Sequence, residues 1–480
     1  MMRSLFAGVS GLKNHQTRMD VIGNNIANVN TVGYKKSRVT FQDMLSQTLR
    51  GASSPQSGRG GTNPMQVGLG MTLASIDTIQ TAGSPQSTGK NTDLSIEGEG
   101  FFILAEGKHL YYTRAGNFDF DFNKSLINTS NGMVVTGILA DSSGVIDPKG
   151  DIVDINLASQ VSSPPNATTA IEFAKNLDSR GEQITGTYAP VSHTNGTGNT
   201  VTVTPTKLPI TKVTISGTAP APDLVEGAAN GFTVDYLTGE VTIAAGAATD
   251  TYDIKFWEPN YQLPTVVYDS KGDTHIFNLL YTKTGNNEWE IDTQIEGNFV
   301  ANGKGTLTFD PGTGKLTNST VTNATFALDD ADDLDIELRF TNMTEYAGDY
   351  TPVVFNQDGY SAGDLQTISV DPSGTISGSF SNGQNRKLAQ LAIATFSNPS
   401  GLTKVGNNMY QVSYNSGEPD RGIPGISGRG VIKPETLEMS NVDLSQEFVD
   451  MIITQRGFQA NSRVITTSDQ ILEELVNLRR

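Results

Sequence analysis

Apolar residues are spaced in two ways along this chain, and the change of spacing divides it. At the N-terminal end Leu5, Val9, Leu12, Gln16, Met19 and Ile26 alternate in steps of four and three, with Ile22 and Val29 widening the stripe. At the C-terminal end Leu444, Phe448, Met451, Gln455, Phe458, Ile465 and Leu472 do the same, joined by Ile452, Ile471 and Leu475. That spacing predicts two amphipathic helices with coiled-coil seams. Asp443, three residues before Gln446, supplies a capping box at the start of the second. An amphipathic helix standing alone in water is marginal, so both ends need partners. Those partners are either each other or further copies of the chain. Both helices leave one β block, near residues 30 and 440, which makes an antiparallel pair the simplest geometry. The expected register places Leu5 near Leu472, Leu12 near Ile465, Met19 near Phe458 and Ile26 near Met451.

Between the ends the period falls to two. From residue 72 to 145 short alternating strands are separated by turn signals. Examples are Leu94 to Ile96, Phe101 to Leu104, and Asn131-Gly132 between two apolar pairs. The Thr-rich stretch 146–361 reads as a small β unit set inside a larger one. Its inner strands are Thr200 to Thr206, Lys212 to Ser216, Phe232 to Tyr236 and Glu240 to Ala244. Ala170 to Leu177 and Leu263 to Tyr281 read as pieces of one surrounding sheet. Alternation resumes from Leu365 to Tyr414. The expected fold class is multidomain and mainly β, with terminal α-helices forming an antiparallel coiled coil around nested β domains. By residue, 1–30 with 441–480 form the coiled coil, and 31–71 with 432–440 form flexible connections. Residues 72–145 with 362–431 form an inner β domain, 146–185 with 259–361 an outer one, and 186–258 an extra module. The Gly-, Ser- and Pro-rich run 51–70 is either a flexible linker or a joint that orders on assembly.

Composition supports the β reading and excludes several functions. The 480 residues suffice for several domains, and 50 glycines with 20 prolines imply many turns. A formal charge of −18 opposes nucleic-acid binding. The first 50 residues run against this trend, with Arg3, Lys13, Arg18, Lys35, Lys36, Arg38 and Arg50 against Asp20 and Asp43. No cysteine is present, so disulfides, thiolate metal sites and cysteine nucleophiles are ruled out. No apolar run reaches the roughly 18 residues that a membrane span needs. The start MMRSLFAGVSGL breaks into polar residues without a small-residue cleavage site, so it is not expected to act as a Sec signal.

Candidate chemical sites are weak. Asp119, Asp121 and Asn123 imitate a calcium loop, but Lys124 stands where glycine is required and Ser130 where the bidentate glutamate should be. The cluster Asp329, Asp330, Asp332, Asp333 and Asp335 reads as a solvated loop. Gly312-Thr313-Gly314-Lys315 lacks the first glycine and the Ser or Thr of a phosphate loop. His15, His109, His193 and His275 suggest no catalytic set, and no carboxylate pair stands out from the many acids. No enzyme activity, cofactor or metal is expected.

Four segments carry a family resemblance. SGLKNHQTRMDVIGNNIANVNTVGYKK (Ser10 to Lys36) resembles the motif shared by flagellar rod and hook proteins. Its core holds Gly23, Asn24, Asn25, Ile26, Asn28, Asn30, Gly33 and Tyr34. NTDLSIEGEGFFIL, YTRAGNFDFD and the ending Leu437 to Leu478 are similar to later parts of the same family. Rod members lack a large inserted middle, so the resemblance points to the hook branch. It implies a helical homopolymer outside the cell envelope, exported by the flagellar type III apparatus and acting as a bendable, torque-bearing joint. Implied partners are the distal rod protein, the hook cap, the hook-length ruler and the hook–filament junction protein. The implied assembly interface is Leu5, Leu12, Met19, Ile22, Ile26, Leu444, Phe448, Met451, Ile452, Phe458, Ile465 and Leu472. The asparagines that end the first helix either cap it or bond across subunits. Alternative readings are a rod protein of the same family and, in a different class, a secreted β-domain adhesin or enzyme.

Overall fold

A computed structural model describes residues 2–55, 58–141, 143–193, 199–202, 209–217, 224, 226–228, 231–244, 250–300, 302–328 and 332–477. Asp329 and Asp330 lie outside the described residues, as does part of the strand expected from Thr200 to Thr206; nothing is described of the Leu475 side chain. The chain forms two compact units. One combines residues 1–161 with 365–480, and the other is residues 162–364.

The first unit carries both helices, α1 (Met2–Ala27) and α2 (Leu444–Asn477). Asp443 begins α2 by accepting hydrogen bonds from the Ser445 and Gln446 amides at 2.9 and 3.2 Å. Gln446 turns forward to Asp450 instead of closing the box. The β block interleaves strands from both halves of the sequence. Val134–Leu139 pairs with Phe101–Glu106 on one side and with Asn385–Leu391 on the other. Leu94, Phe102, Phe118, Ile376, Leu391 and Ile393 share its core. Neither half could close that core alone, because alternate residues of each strand point to one face and need the other half to cover them.

The stretch expected to be a flexible connection is instead a long hairpin. β1 (Ser37–Asp43) pairs with β4 (Met71–Thr78), and β2 (Ser46–Arg50) pairs with β3 (Met65–Gly68). A Ser53–Thr62 bridge continues the ladder toward the tip. Segment 432–440 is likewise paired, through Val431–Pro434 and Thr436–Glu438.

In the second unit a six-stranded and a four-stranded sheet share one core. Ala170 to Leu177 and Leu263 to Tyr281, read from sequence as one sheet, belong to different sheets. Tyr261–Tyr268 folds back on Thr274–Gly285, while Ala170–Asp178 runs parallel to Leu334–Tyr346. Asp269 sets that hairpin by accepting the Lys271 and Asp273 amides, a local side-chain turn. Thr185–His193, Lys212–Gly217 and Asp250–Trp257 pair in a small sheet. Val213, Ile215, Phe232, Val241 and Ile254 belong to a separate core there.

Candidate assembly interface

The two helices run antiparallel, and their contact is built from small and polar residues. Ser4 Oγ lies 3.4 Å from Ser468 Oγ. A Cβ added at Gly8 would come within 3.1 Å of Ile465, and one at Gly11 within 2.5 Å of the Asn461 amide. The His15 ring rests on Gly457, where a Cβ would be 2.9 Å away. Arg18 pairs with Asp450 at 3.1 Å, and Asn25 donates to Glu447 at 3.1 Å.

This register corrects the expected one. Gly11 faces Asn461, so Leu12 comes opposite Ala460 and not Ile465, a shift of five residues. Many registers are open to the pair, but five is not a multiple of the seven-residue step, so here the two stripes do not meet face to face. Close approach of the backbones selects among the registers, and glycines permit it where Leu, Ile or Phe would hold the helices apart. Ile22, Thr454 and Ser468 are buried in the unit, whereas Leu5, Leu12, Met19, Ile26, Met451, Phe458, Ile465 and Leu472 are half-buried. Leu444, Phe448 and Ile452 face outward. Phe448 and Ile452 are 48% and 50% exposed, with Val449 and Ile453 beside them. On α1, Phe6 and Val9 are exposed as well. The chain therefore pairs its helices and keeps an apolar stripe uncovered.

Below the helices the residues of the resemblance motif meet. Gly33 adopts φ +68°, and a Cβ there would be 2.6 Å from the Ala115 amide nitrogen. Only glycine fits that combination of backbone and space. The Gly33 amide donates to the Glu438 carbonyl at 2.8 Å. Lys35, fully buried, reaches the Glu438 carboxylate at 2.5 Å and the Thr81 carbonyl at 2.8 Å. Arg114 approaches the other Glu438 oxygen at 3.4 Å. Burial lowers the Lys35 and Arg114 pKa values, although Glu438 opposes the fall in both. Asn25 accepts from the Ser37 amide and donates to its carbonyl, while the Tyr34 hydroxyl donates to Asn25 at 3.3 Å. Asn441 accepts from the Lys36 amide and donates to the Ile79 carbonyl. Asn28 turns back onto Asn24 at the end of α1, whereas Asn24 and Asn30 are exposed. Gly23 has open space around it.

Lys35, Glu438, Arg114, Asn441 and Glu447 carry this joint, and none stood out in the hydrophobic pattern. A buried charge has no periodicity to reveal it. The only signal was that three separate resemblance segments each contain one member of the Lys35–Glu438–Arg114 group.

The hairpin offers a second uncovered face. Gln47 lies across from Val67, and Leu45 across from Leu69, with Leu49 and Met65 further along. Leu45, Leu49, Met65 and Val67 are exposed. Segment 44–70 contains Arg50 and Arg59 and no acid, in a chain of charge −18.

Nothing comparable marks the weaker candidates. Asp119 pairs with Lys90, and Asp121 accepts the Ser125 amide in a turn. Asp310 caps the Gly312 and Thr313 amides, which makes that glycine stretch a strand turn. Among the described residues no group of three or more His, Asp or Glu could hold a metal ion, and no helix is long and apolar enough to cross a membrane.

Comparison with known proteins agrees with this geometry. Residues 5–35 match the family profile "Flagella basal body rod protein", and 95–174 match "Flagellar hook protein FlgE/F/G D1 domain". Residues 237–360 match "Flagellar basal body protein FlaE D2 domain", and 433–478 match "Flagellar basal body rod FlgEFG protein C-terminal". Flagellar hook protein FlgE of Borreliella burgdorferi is 41% identical over 496 residues, covering 100% of both chains. The chain belongs to the family of flagellar hook and rod proteins. The hook protein of Treponema pallidum is 38% identical with the same coverage. A Bacillus subtilis relative named flagellar basal-body rod protein FlgG is 29% identical, covering 100% of both chains. A long middle therefore does not by itself separate hook from rod names, contrary to the expectation from length.

Proposed function

We propose that this chain is the structural subunit of the flagellar hook, a helical homopolymer that bends while passing torque from rod to filament. The observation that carries the proposal is the apolar stripe on the helix pair, left uncovered although the helices already have each other. Covering a Phe or Ile side chain contributes about 1.5–3 kcal/mol, so a ridge of several such residues drives association. The terminal helices of successive subunits would stack into an inner tube that resists twist. The acid-rich β domains would make weaker contacts that rearrange as the tube bends. The basic, apolar hairpin would lie against a neighbouring copy, whose charge is opposite overall; an isolated two-stranded hairpin gains little stability by itself.

On this reading the subunit works mechanically and not as a catalyst. It leaves the cell through the flagellar type III apparatus and meets the distal rod protein, the hook cap, the hook-length ruler and the hook–filament junction protein. The Bacillus relative favours a second reading as a rod subunit. Straight tubes would support the rod, and curved tubes the hook. The test compares the full chain with one lacking residues 1–30 and 441–480. Tubes from the full chain alone, seen by electron microscopy, support assembly through the ends. If both chains stay monomeric by sedimentation under assembly conditions, the proposal fails.

A further inference from the structure

The inserted module meets the six-stranded sheet over two buried acids bridged by a half-exposed lysine. On Glu288–Ile295, Trp289, Ile291 and Ile295 enter the main core, and Glu290, Asp292 and Gln294 point to the opposite face. Lys304 reaches across both acids, with Nζ 3.1 Å from Glu290 and 3.5 Å from Asp292. The same ammonium donates to the Thr211 carbonyl at 3.0 Å, at the edge of the module. Thr282 donates to the Thr211 hydroxyl at 3.0 Å. From the module, Tyr236 packs edge-on to Phe299 at 5.6 Å and donates to Glu226 at 2.6 Å. Asp292 and Glu290 both act on that phenol. One oxygen of Glu290 and one of Asp292 are buried without a hydrogen-bond partner. Two carboxylates thus share one ammonium, and a third, Glu226, stands on the far side of Tyr236.

We infer that Glu290, Asp292 and Lys304 form a proton-operated clamp, which seats the module more firmly on the sheet when the cluster takes up a proton. A buried acid with an orphan oxygen gains on protonation, because the charge is removed and the like-charge contact with Glu290 disappears. Burial and Glu290 push Asp292 up to about 6, against the pull of Lys304. The folded value lies above the ordinary 3.8, so this contribution is fully present below that value and is lost as pH rises through about 6. His275 has the same sign. Burial lowers it, but hydrogen bonds to Glu296 and Asp269 outweigh burial and raise it.

The test is urea unfolding of the full chain at about pH 5 and about pH 8. Both tryptophans, Trp257 and Trp289, lie in residues 162–364, so their fluorescence reports this unit. H275Q serves as the reference, because it removes the second group that titrates with this sign. The reference should unfold with a constant about tenfold larger at the higher pH. Adding D292N should flatten this dependence and leave the protein at least as stable at the higher pH. If D292N fails to fold, K304M on the same reference decides the matter. Loss of the ammonium should move the transition to higher pH. An unchanged slope in D292N, an unmoved transition in K304M, or no slope in the reference would overturn the clamp.

Discussion

Glu438 holds two buried cations, so replacing it should cost more than replacing either of them. In E438Q, Lys35 at 0% exposure and Arg114 at 4% lose the carboxylate that pairs with both. Removing one partner of a buried pair costs about 3–5 kcal/mol, and two stranded cations put this variant toward the upper end. K35M leaves Glu438 balanced by Arg114 at 3.4 Å and by the Gly83 amide at 2.9 Å. It loses charge-assisted hydrogen bonds worth about 1.5–3 kcal/mol and is relieved of burying an ammonium, so its net cost is smaller. Urea unfolding of the monomeric full chain, followed by helical circular dichroism, measures both changes in the first unit. Tryptophan fluorescence reports the other unit and should not move. The reasoning is refuted if K35M costs as much as E438Q, or if the fluorescence transition shifts with the helical one.

Two glycines of the same motif should respond in opposite directions. G33A meets the Ala115 backbone in a left-handed conformation, and should lose at least about 1–2 kcal/mol in thermal unfolding. G23A has open space within α1 and should gain about 0.5–1 kcal/mol by the same measurement. His15 makes the helix pair acid-sensitive, because burial and the charge of Arg18 both lower its pKa. Its contribution is present above the ordinary value of 6.5 and is lost as pH falls below it, so H15Q should lessen the loss of helical stability on acidification.

The terminal helices, their antiparallel order and the Asp443 cap were legible because each leaves a local signature in residue type or spacing. The register was not. The real seam of Gly8, Gly11, Gly457 and Ser468 carries no hydrophobic signal, and the seven-step stripes of Leu, Ile and Phe drew attention to the sides of the contact. The hairpin was hidden by its glycine-rich tip, although the alternation of Leu45, Gln47 and Leu49 with Met65 and Val67 was already a strand pattern. The split of the second unit into two sheets depends on pairings between distant segments, such as Ala170–Asp178 with Leu334–Tyr346, which no local window contains. The Lys35–Glu438–Arg114 joint spans residues 35 to 438 and is defined by burial alone.

The central claim is that the outward stripe of the helix pair exists to be covered by another copy. Electron microscopy of the full chain carrying F448S and I452S, beside the unaltered chain under assembly conditions, tests it most directly. Both side chains are about half-exposed in the monomer, so unfolding of the monomer should change by no more than about 0.5 kcal/mol for each substitution. The account predicts tubes from the unaltered chain and soluble, folded monomers from the variant. Tubes of normal length and number from the variant would contradict it.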